Sequence, residues 1–158
     1  MQRNDTMTKA ITGIAQALGT RLLSSEQRSQ ERAFVEVAPE SVPEISGVLF
    51  NELGARLQTA SGVDTPAGIE VLYHWALDGK GDGAGCVISV RTLLEGDSPE
   101  LQSITSACPA AEWIERELWE LLGVQIRNHP DLRHLLLRDD WPEGRYPLRR
   151  DFDAEGAS

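Results

Sequence analysis

The sequence predicts an α+β fold: a mixed β-sheet of about four strands packed by helices, followed by an extended C-terminal tail. Apolar residues recur at helical spacing in three segments, alternate as in strands in several others, and lose both patterns after residue 124. We therefore predict a globular domain over residues 1–124 and a tail over residues 125–158. With 158 residues, the chain is long enough to bury a core of its own.

Two helices are predicted in the N-terminal half. Residues 6–18 place apolar side chains on one stripe behind threonines that suit an N-cap, and Gly19 marks the end. Residues 39–53 form a second stripe, with Pro43 suited to the first regular turn and Gly54 just past the end.

Four strands are predicted, over residues 33–37, 56–64, 69–77 and 86–94. The third has the clearest alternation, with one row that is apolar throughout. The glycine-rich residues 78–85 are interpreted as a hairpin loop. They lack the Gly-x-x-x-x-Gly-Lys order of a phosphate-binding loop, and no helix follows them.

The last helix is predicted over residues 109–122. Pro109 suits its first turn, and Gly123 suits the left-handed residue after its end. Its core stripe contains five apolar residues: Ala111, Ile114, Leu118, Leu121 and Leu122. Trp113 and Trp119 lie away from the centre of that stripe, so we expect them to mark a second contact, with the tail or with a partner.

The same helix carries four glutamates: Glu112, Glu115, Glu117 and Glu120. Di-metal carboxylate sites take Glu-x-x-His units from facing helices, and no such unit occurs here. We therefore expect a solvated helix face on which Arg116 pairs with Glu112 and reaches Glu120 one turn on.

Other candidate groups do not form a catalytic or metal-binding pattern. His129 and His134 have no cysteine or third histidine near them, so structural roles are favoured over zinc ligation. His74 is expected to be hydrogen-bonded or exposed, and the serines lack a Gly-x-Ser-x-Gly elbow. Cys86 and Cys108 are predicted to be buried thiols rather than a disulfide.

The charge distribution argues against nucleic-acid binding, because the formal net charge is −10. Residues 1–126 hold 9 basic and 18 acidic groups, whereas residues 127–158 hold 6 arginines and 7 acids. Such a near balance suits a surface that pairs charges across an interface. No apolar run approaches the ~20 residues that span a bilayer, and the first seven residues lack a signal peptide's apolar region.

The tail contains three prolines that exclude a continuous helix: Pro130, Pro142 and Pro147. Residues 131–137 allow one or two helical turns. Beyond them, large apolar residues alternate with arginines, a composition enriched at protein interfaces: Trp141, Arg145, Tyr146, Leu148, Arg149, Arg150 and Phe152. Two interpretations stay open: partner binding, and a tail that folds back over its own sheet. Both can hold for different stretches.

Three motifs in this region resemble a known family. Residues 113–124 read Trp-Ile-Glu-Arg-Glu-Leu-Trp-Glu-Leu-Leu-Gly-Val, residues 129–133 read His-Pro-Asp-Leu-Arg, and residues 146–151 read Tyr-Pro-Leu-Arg-Arg-Asp. Together they resemble the signature of the 30 kDa subunit of respiratory NADH–quinone oxidoreductase. The same module occurs in the related membrane-bound hydrogenases, including formate hydrogenlyase.

The motifs also depart from the family pattern. Glu120 stands where the family usually has Asp, Leu122 where it has an aromatic residue, and Asn128 where it has glycine. The last exchange is tolerable if residue 128 adopts a positive φ. Residues 139–151 look closer to the hydrogenase branch.

The resemblance implies a peripheral-arm subunit with no redox cofactor of its own. Its partners would be a large catalytic subunit, of the 49 kDa or nickel–iron hydrogenase type, and neighbouring iron–sulfur subunits. The iron–sulfur or nickel–iron centres would lie in those partners. The chain would be cytoplasmic, peripheral to the inner membrane through the complex and without direct membrane insertion.

The resemblance also implies which residues make partner contacts, with Arg116 and Glu117 tying the last helix to the tail. The full candidate set is Arg116, Glu117, His129, Asp131, Arg133, Trp141, Tyr146, Leu148, Arg149, Arg150, Asp151 and Phe152. No catalytic, cofactor-binding or metal-binding residue is assigned. The alternative is a small autonomous enzyme or ligand-binding domain whose tail closes over a pocket formed by the sheet.

Overall fold

The computed structural model describes residues 2–78 and 84–153. Within these ranges the chain forms the following helices and strands in order: α1 (Gln2–Leu18), β1 (Leu22–Gln27), β2 (Arg32–Val37), α2 (Val42–Gly47), β3 (Arg56–Thr65), β4 (Gly68–Asp78), β5 (Ala84–Leu94), β6 (Glu100–Gln102), α3 (Glu112–Leu122) and β7 (Gln125–Arg127). Short 3₁₀ turns precede α2 and α3.

The main sheet has the strand order β1-β2-β5-β4-β3. Strands β2 and β5 run parallel, and every other neighbouring pair is antiparallel, so the sheet is mixed. The predicted α+β class is therefore confirmed. The glycine-rich loop falls largely on residues 79–83, which lie outside the described residues, but the antiparallel pairing of β4 with β5 is described on both sides of it.

The sequence did not predict β1, so the sheet has five strands instead of about four. This strand reads Leu-Leu-Ser-Ser-Glu-Gln, lies at the sheet edge and is almost entirely exposed. An edge strand with neither face buried needs no apolar alternation, and its sequence therefore carries no strand signal. A second, two-stranded parallel sheet of β6 and β7 was also missed, because three-residue strands are too short to show a period.

The core lies on one face of the main sheet. The predicted apolar row of β4 is buried along its whole length, and the matching row of β5 is buried as well. The apolar sides of α1, α2 and the helical turn after α2 meet these rows through Met7, Ile14, Leu18, Val42, Ile45 and Leu49. Each such large side chain contributes about 1.5–3 kcal/mol when it is fully buried.

The predicted helix over residues 39–53 is divided into three parts. A 3₁₀ turn (Pro39–Ser41) comes first, α2 follows with Pro43 in its first turn, and a π-helical turn (Val48–Glu52) ends the segment. Because Pro43 has no amide hydrogen for the preceding turn, the regular helix begins beside it, as predicted. Helix α1 also begins earlier than predicted, at Gln2.

Candidate functional site

Helix α3 packs between the main sheet and the tail, and its arginine faces the tail. Arg116 is only 5% exposed. Its Nε donates to the carbonyl oxygen of Arg133 at 2.9 Å, and its Nη2 donates to that of His134 at 2.6 Å. The expected ion pairs of Arg116 with Glu112 and Glu120 do not form among the described residues, because the guanidinium is committed to main-chain carbonyls.

Glu120 lies one turn further along α3 and is 2% exposed. Its carboxylate accepts three consecutive amide hydrogens, from Leu135 at 3.0 Å, Leu136 at 2.8 Å and Leu137 at 3.2 Å. Burial alone would raise the pKa of Glu120, but these amides and the imidazole of His134 lower it below its usual value. The carboxylate therefore remains charged.

We call this arrangement the latch: the side chains of Arg116 and Glu120 together with the main chain of residues 133–137. The arginine satisfies carbonyl oxygens at the start of the segment, and the glutamate satisfies amide hydrogens further along it. Residues 131–137, where the sequence allows one or two helical turns, are not helical, because the main-chain groups that a helical turn would pair are bonded to α3 instead.

Glu115 points the opposite way, into the sheet, and is fully buried. Its carboxylate accepts hydrogen bonds from the Tyr73 hydroxyl at 3.0 Å, the Ser103 hydroxyl at 2.6 Å and the Ile104 amide at 2.9 Å. Burial raises the pKa of Glu115, and the donors offset that effect only in part. The predicted solvated acidic face is therefore wrong for Glu115 and Glu120, which are buried because each has a full set of donors.

The turn after β7 is fixed by a histidine. The φ angle of Asn128 is 56°, which is the positive value expected for the residue that replaces the family's glycine. The Nδ1 of His129 accepts the amide hydrogen of Asp131 at 3.1 Å, so its Nε2–H donates to the carbonyl of Glu112 at 2.9 Å. The structural role predicted for His129 is confirmed.

The C-terminal end of α3 is covered by the second half of the tail. Gly123 adopts the left-handed conformation, and the ring of Tyr146 lies so close that a Cβ at position 123 would be 2.5 Å from it. The Nε of Arg149 donates to the carbonyl of Leu122 at 2.6 Å, and the amide of Leu148 donates to that of Leu121 at 3.0 Å. The tail thereby satisfies carbonyls that a helix leaves unpaired at its end.

Aromatic side chains fix the rest of the tail. Trp141 stacks on Phe152 with ring centroids 6.3 Å apart, and the guanidinium of Arg145 lies 5.5 Å from the centroid of the Phe152 ring. The indole Nε1 of Trp141 donates to the carbonyl of Arg145 at 2.7 Å. On α3, Trp119 packs against His134 with centroids 5.1 Å apart. Trp119 thus marks the predicted second contact, here with the tail.

The tail also contacts the main sheet, through Arg150. The amide of Arg150 donates to the Asp64 carboxylate at 2.9 Å, and the Nε of Arg150 lies 3.8 Å from the other oxygen of that carboxylate. Asp64 belongs to β3, the edge strand next to α3. The tail therefore folds back on its own domain, as one of the two interpretations expected, but mainly on α3.

The twelve candidate partner-binding residues divide into two groups. Arg116, His129 and Arg149 are bonded to their own chain in ways that fix the tail. Others present surface: Leu148 is 56% exposed, and Arg133 and Asp151 are also exposed. Contacts of these residues with a partner stay a prediction.

Sequence reasoning missed two features of this region. Leu136, beside the latch, is 62% exposed, and Glu120 is the main acceptor for the tail. The one sequence feature that could have indicated a role for Glu120 was its place in the motif of residues 113–124. Its position relative to the apolar stripe of α3 is that of a solvent-exposed helix residue.

Two of the cavities in the described part of the chain lie along α3. The larger of these has a volume of about 360 Å³ and lies between α3 and the tail, lined by Trp119 and Trp141. The other, about 240 Å³, lies between β3 and α3 and meets the tail at Leu148. Across residues 2–78 and 84–153, no three His, Cys, Asp or Glu side chains are grouped so as to hold a metal ion. Both cysteines are buried free thiols, as predicted.

The fold and the latch define an α+β module whose C-terminal arm is fixed to its last helix by buried charged groups. The family model described as "Respiratory-chain NADH dehydrogenase, 30 Kd subunit" matches residues 35–158, and the chain belongs to this family. The resemblance of the three motifs is thereby confirmed.

Relatives in the family are named as components of several complexes. Hydrogenase-4 component G of Escherichia coli (strain K12) is 35% identical over 132 residues, which cover 82% of the chain and 23% of that protein. A subunit of the F(420)H(2) dehydrogenase of Methanosarcina mazei is 39% identical over 99 residues, covering 61% of the chain and 60% of that protein. The chain spans less than a quarter of the length of the hydrogenase component.

Solved structures share the fold. A chain of the membrane-bound sulfane sulfur reductase, an archaeal respiratory membrane complex, superposes with a TM-score of 0.79 at 21% identity, over 95% of this chain and 87% of that one. A trypsin-resistant fragment of Nqo5 gives 0.61 at 22% identity, over 80% and 99%. The described residues contain no helix long and apolar enough to cross a membrane.

Proposed function

We propose that the chain is a non-catalytic, peripheral-arm subunit of a membrane-associated oxidoreductase complex of the NADH–quinone or hydrogenase type. It docks on the large catalytic subunit through α3 and the tail and supports electron transfer by holding that subunit in place. Iron–sulfur or nickel–iron centres lie in the partner subunits. The chain occupies the cytoplasmic side and reaches the membrane only through the complex.

One observation carries this proposal beyond family membership: α3 and the tail expose large apolar side chains although the irregular backbone of the tail is fixed. Leu136, Leu148 and Trp113 are all more than half exposed. Single exposed apolar side chains are ordinary on protein surfaces, so what favours a partner is that three of them lie on α3 and the tail. An ordered segment that presents them outward is pre-organised for a partner, because little conformational entropy remains to be lost on binding.

The division into a domain over residues 1–124 and a partner-binding tail over residues 125–158 belongs to this proposal. Within it, the twelve candidate residues have two roles. The inward residues, including Arg116 and Arg149, set the shape of the tail. The outward residues, including Leu148 and Asp151, meet the partner directly.

Surface substitutions test the proposal better than a truncation does. A chain cut after Gly123 loses its partner if the tail is the docking element, but it also uncovers the Glu120 carboxylate and the α3 carbonyls that the tail satisfies. The double substitution Leu136→Ser and Leu148→Ser removes apolar contact area and leaves the latch intact. We expect it to reduce co-purification of the large catalytic subunit at least tenfold.

Leu23→Ser is the matched control. Leu23 is 61% exposed, like Leu136, but lies on β1 at the opposite edge of the main sheet from β3. Its substitution should leave co-purification unchanged. Full retention of the large subunit by the double variant would contradict the proposal, as would a stoichiometric redox cofactor bound to the isolated chain.

A further inference from the structure

The cavity of about 360 Å³ between α3 and the tail is walled by aromatic rings, those of Trp119, Trp141 and Tyr146. Ligand pockets commonly enclose about 300–1,000 Å³. This cavity is at the small end of that range, which fits a single inserted side chain better than a large cofactor. Because Trp119 and Tyr146 are fixed against His134 and Gly123, the walls exist before any occupant enters.

Side chains that line the cavity include unpaired hydrogen-bond acceptors. In its neutral form, His134 donates its Nδ1–H to the Glu120 carboxylate, 3.3 Å away, and carries the lone pair on Nε2. That Nε2 has no hydrogen-bond partner among the described residues. The Oε1 of Gln125 is also unpaired there, since only its Nε2 bonds, to the carbonyl of Gly123.

The charges of the cavity favour a cation. Glu143 is exposed at the rim, and its carboxylate forms no ion pair or hydrogen bond within the described ranges. Arg145 also lines the cavity, but its guanidinium lies 5.5 Å from the centroid of the Phe152 ring and donates to the carbonyl of Asp153. A chain with a net charge of −10 adds a long-range attraction for positive partners.

We propose that this cavity is a socket for an arginine side chain of the partner subunit, an inference that rests on the proposed function. A guanidinium is planar, stacks on aromatic faces and presents five donors in one plane. Those donors match the three acceptors of the cavity: His134 Nε2, Gln125 Oε1 and the Glu143 carboxylate. A lysine ammonium would meet the same charge but lacks the flat face that the tryptophan walls can stack on.

The first test uses the isolated full chain and the free probe Nα-acetyl-arginine amide, followed by NMR of the indole signals of Trp119 and Trp141. We expect both signals to shift and to saturate in the millimolar range. Nα-acetyl-citrulline amide has nearly the same shape without the charge and should bind at least about tenfold more weakly, equivalent to 1.4 kcal/mol. Equal binding of the two probes, or no shift with either, would overturn the proposal.

Two matched variants locate the charge effect. Glu143→Gln removes the rim carboxylate and should weaken the arginine probe about threefold without changing the citrulline probe. Glu40→Gln removes an equal exposed charge after β2 and should change neither. Because the Glu143 carboxylate bonds nothing in the part of the chain that the structure describes, the variant keeps its fold. Unaltered binding to Glu143→Gln would remove the electrostatic basis of the socket.

The second test uses the complex purified with its partner subunits. If a partner arginine fills the socket, the probe should no longer shift the two indole signals there. Continued probe binding in the intact complex would contradict the proposal that a partner arginine fills the socket. Failure to purify any partner would instead overturn the proposed function. This outcome is distinguishable from failure of the socket, because the probe titration of the isolated chain does not depend on a partner.

Discussion

The main sheet and the tail are both held by helices, but through different kinds of contact. On the sheet side, α1 and α2 cover apolar rows of β4 and β5 with apolar residues, in a pattern that repeats along each element. On the tail side, α3 holds an irregular segment through Arg116 and Glu120, both buried and bonded to main-chain groups. The difference shows that a segment without periodicity can be fixed when charged side chains satisfy its backbone directly.

The largest expected effect comes from removing the acceptor of the latch. Glu120→Ala leaves the amide hydrogens of residues 135–137 without a partner and should weaken the closed latch by about 3 kcal/mol. Hydrogen exchange at these three amides should then accelerate about a hundredfold. Glu117→Ala is the control, because it lies on the same helix and its carboxylate has no bonded partner among the described residues. Similar exchange in both variants would contradict the latch.

Two glycines allow the contact between the tail and the end of α3 to be tested separately from backbone strain. Both Gly123 and Gly144 have positive φ, 74° and 76°, but an added Cβ meets Tyr146 only at Gly123 and open space at Gly144. Gly144→Ala should cost about 1 kcal/mol of backbone strain. Gly123→Ala should cost about 1.5 kcal/mol more from overpacking. Urea unfolding measures both, and equal losses would show that the Tyr146 contact contributes nothing.

The two buried glutamates of α3 should respond to pH in opposite directions. The raised pKa of Glu115 means that the folded chain holds this proton more readily than the unfolded chain. Its contribution to stability therefore grows as pH falls from above that raised value toward the ordinary glutamate pKa. The lowered pKa of Glu120 has the reverse sign: its contribution is present above the ordinary value and is lost as pH falls through the lowered one.

Urea midpoints across a pH series test this contrast. On acidification, Glu115→Gln should lose stability relative to the parent chain, because the parent gains from protonating Glu115. Glu120→Gln should gain relative to the parent, because the parent loses a charged acceptor. Shifts of the same sign in both variants would refute the assignment of one glutamate to the sheet and the other to the tail.

The smallest effect is expected where the tail meets β3. Asp64→Asn weakens the acceptor of the Arg150 amide and removes the ion pair, which should cost about 0.5–1 kcal/mol and speed exchange of that amide a few-fold. Asp78→Asn breaks a comparable pair with Arg56 at the far end of the sheet edge and should leave the Arg150 amide unaffected. An equal response to both would mean that Arg150 is held by something else.

The sheet side of this comparison was largely predictable from the sequence, and the tail side was not. Alternation in residues 69–77 and the apolar spacing of α3 depend on local periods of two and 3.6, which burial against any apolar surface requires. The exception is β1, where an exposed edge places no such demand on the sequence. Glu120, by contrast, lies off the apolar stripe of its helix, where a solvent-exposed residue is expected. It is buried because it accepts hydrogen bonds from amides fifteen to seventeen positions further along the chain.

The sequence by itself determined the α+β class, the approximate ends of β2 to β5 and of the last helix, and membership of a family through three short motifs. Only the tertiary structure decided which glutamate faces the sheet, which faces the tail, and that Arg116 bonds to carbonyls instead of to its neighbouring acids. The physical reason is that apolar burial follows local periodicity, whereas hydrogen bonds to main-chain groups of an irregular segment depend on where that segment passes in space. No local pattern encodes that position.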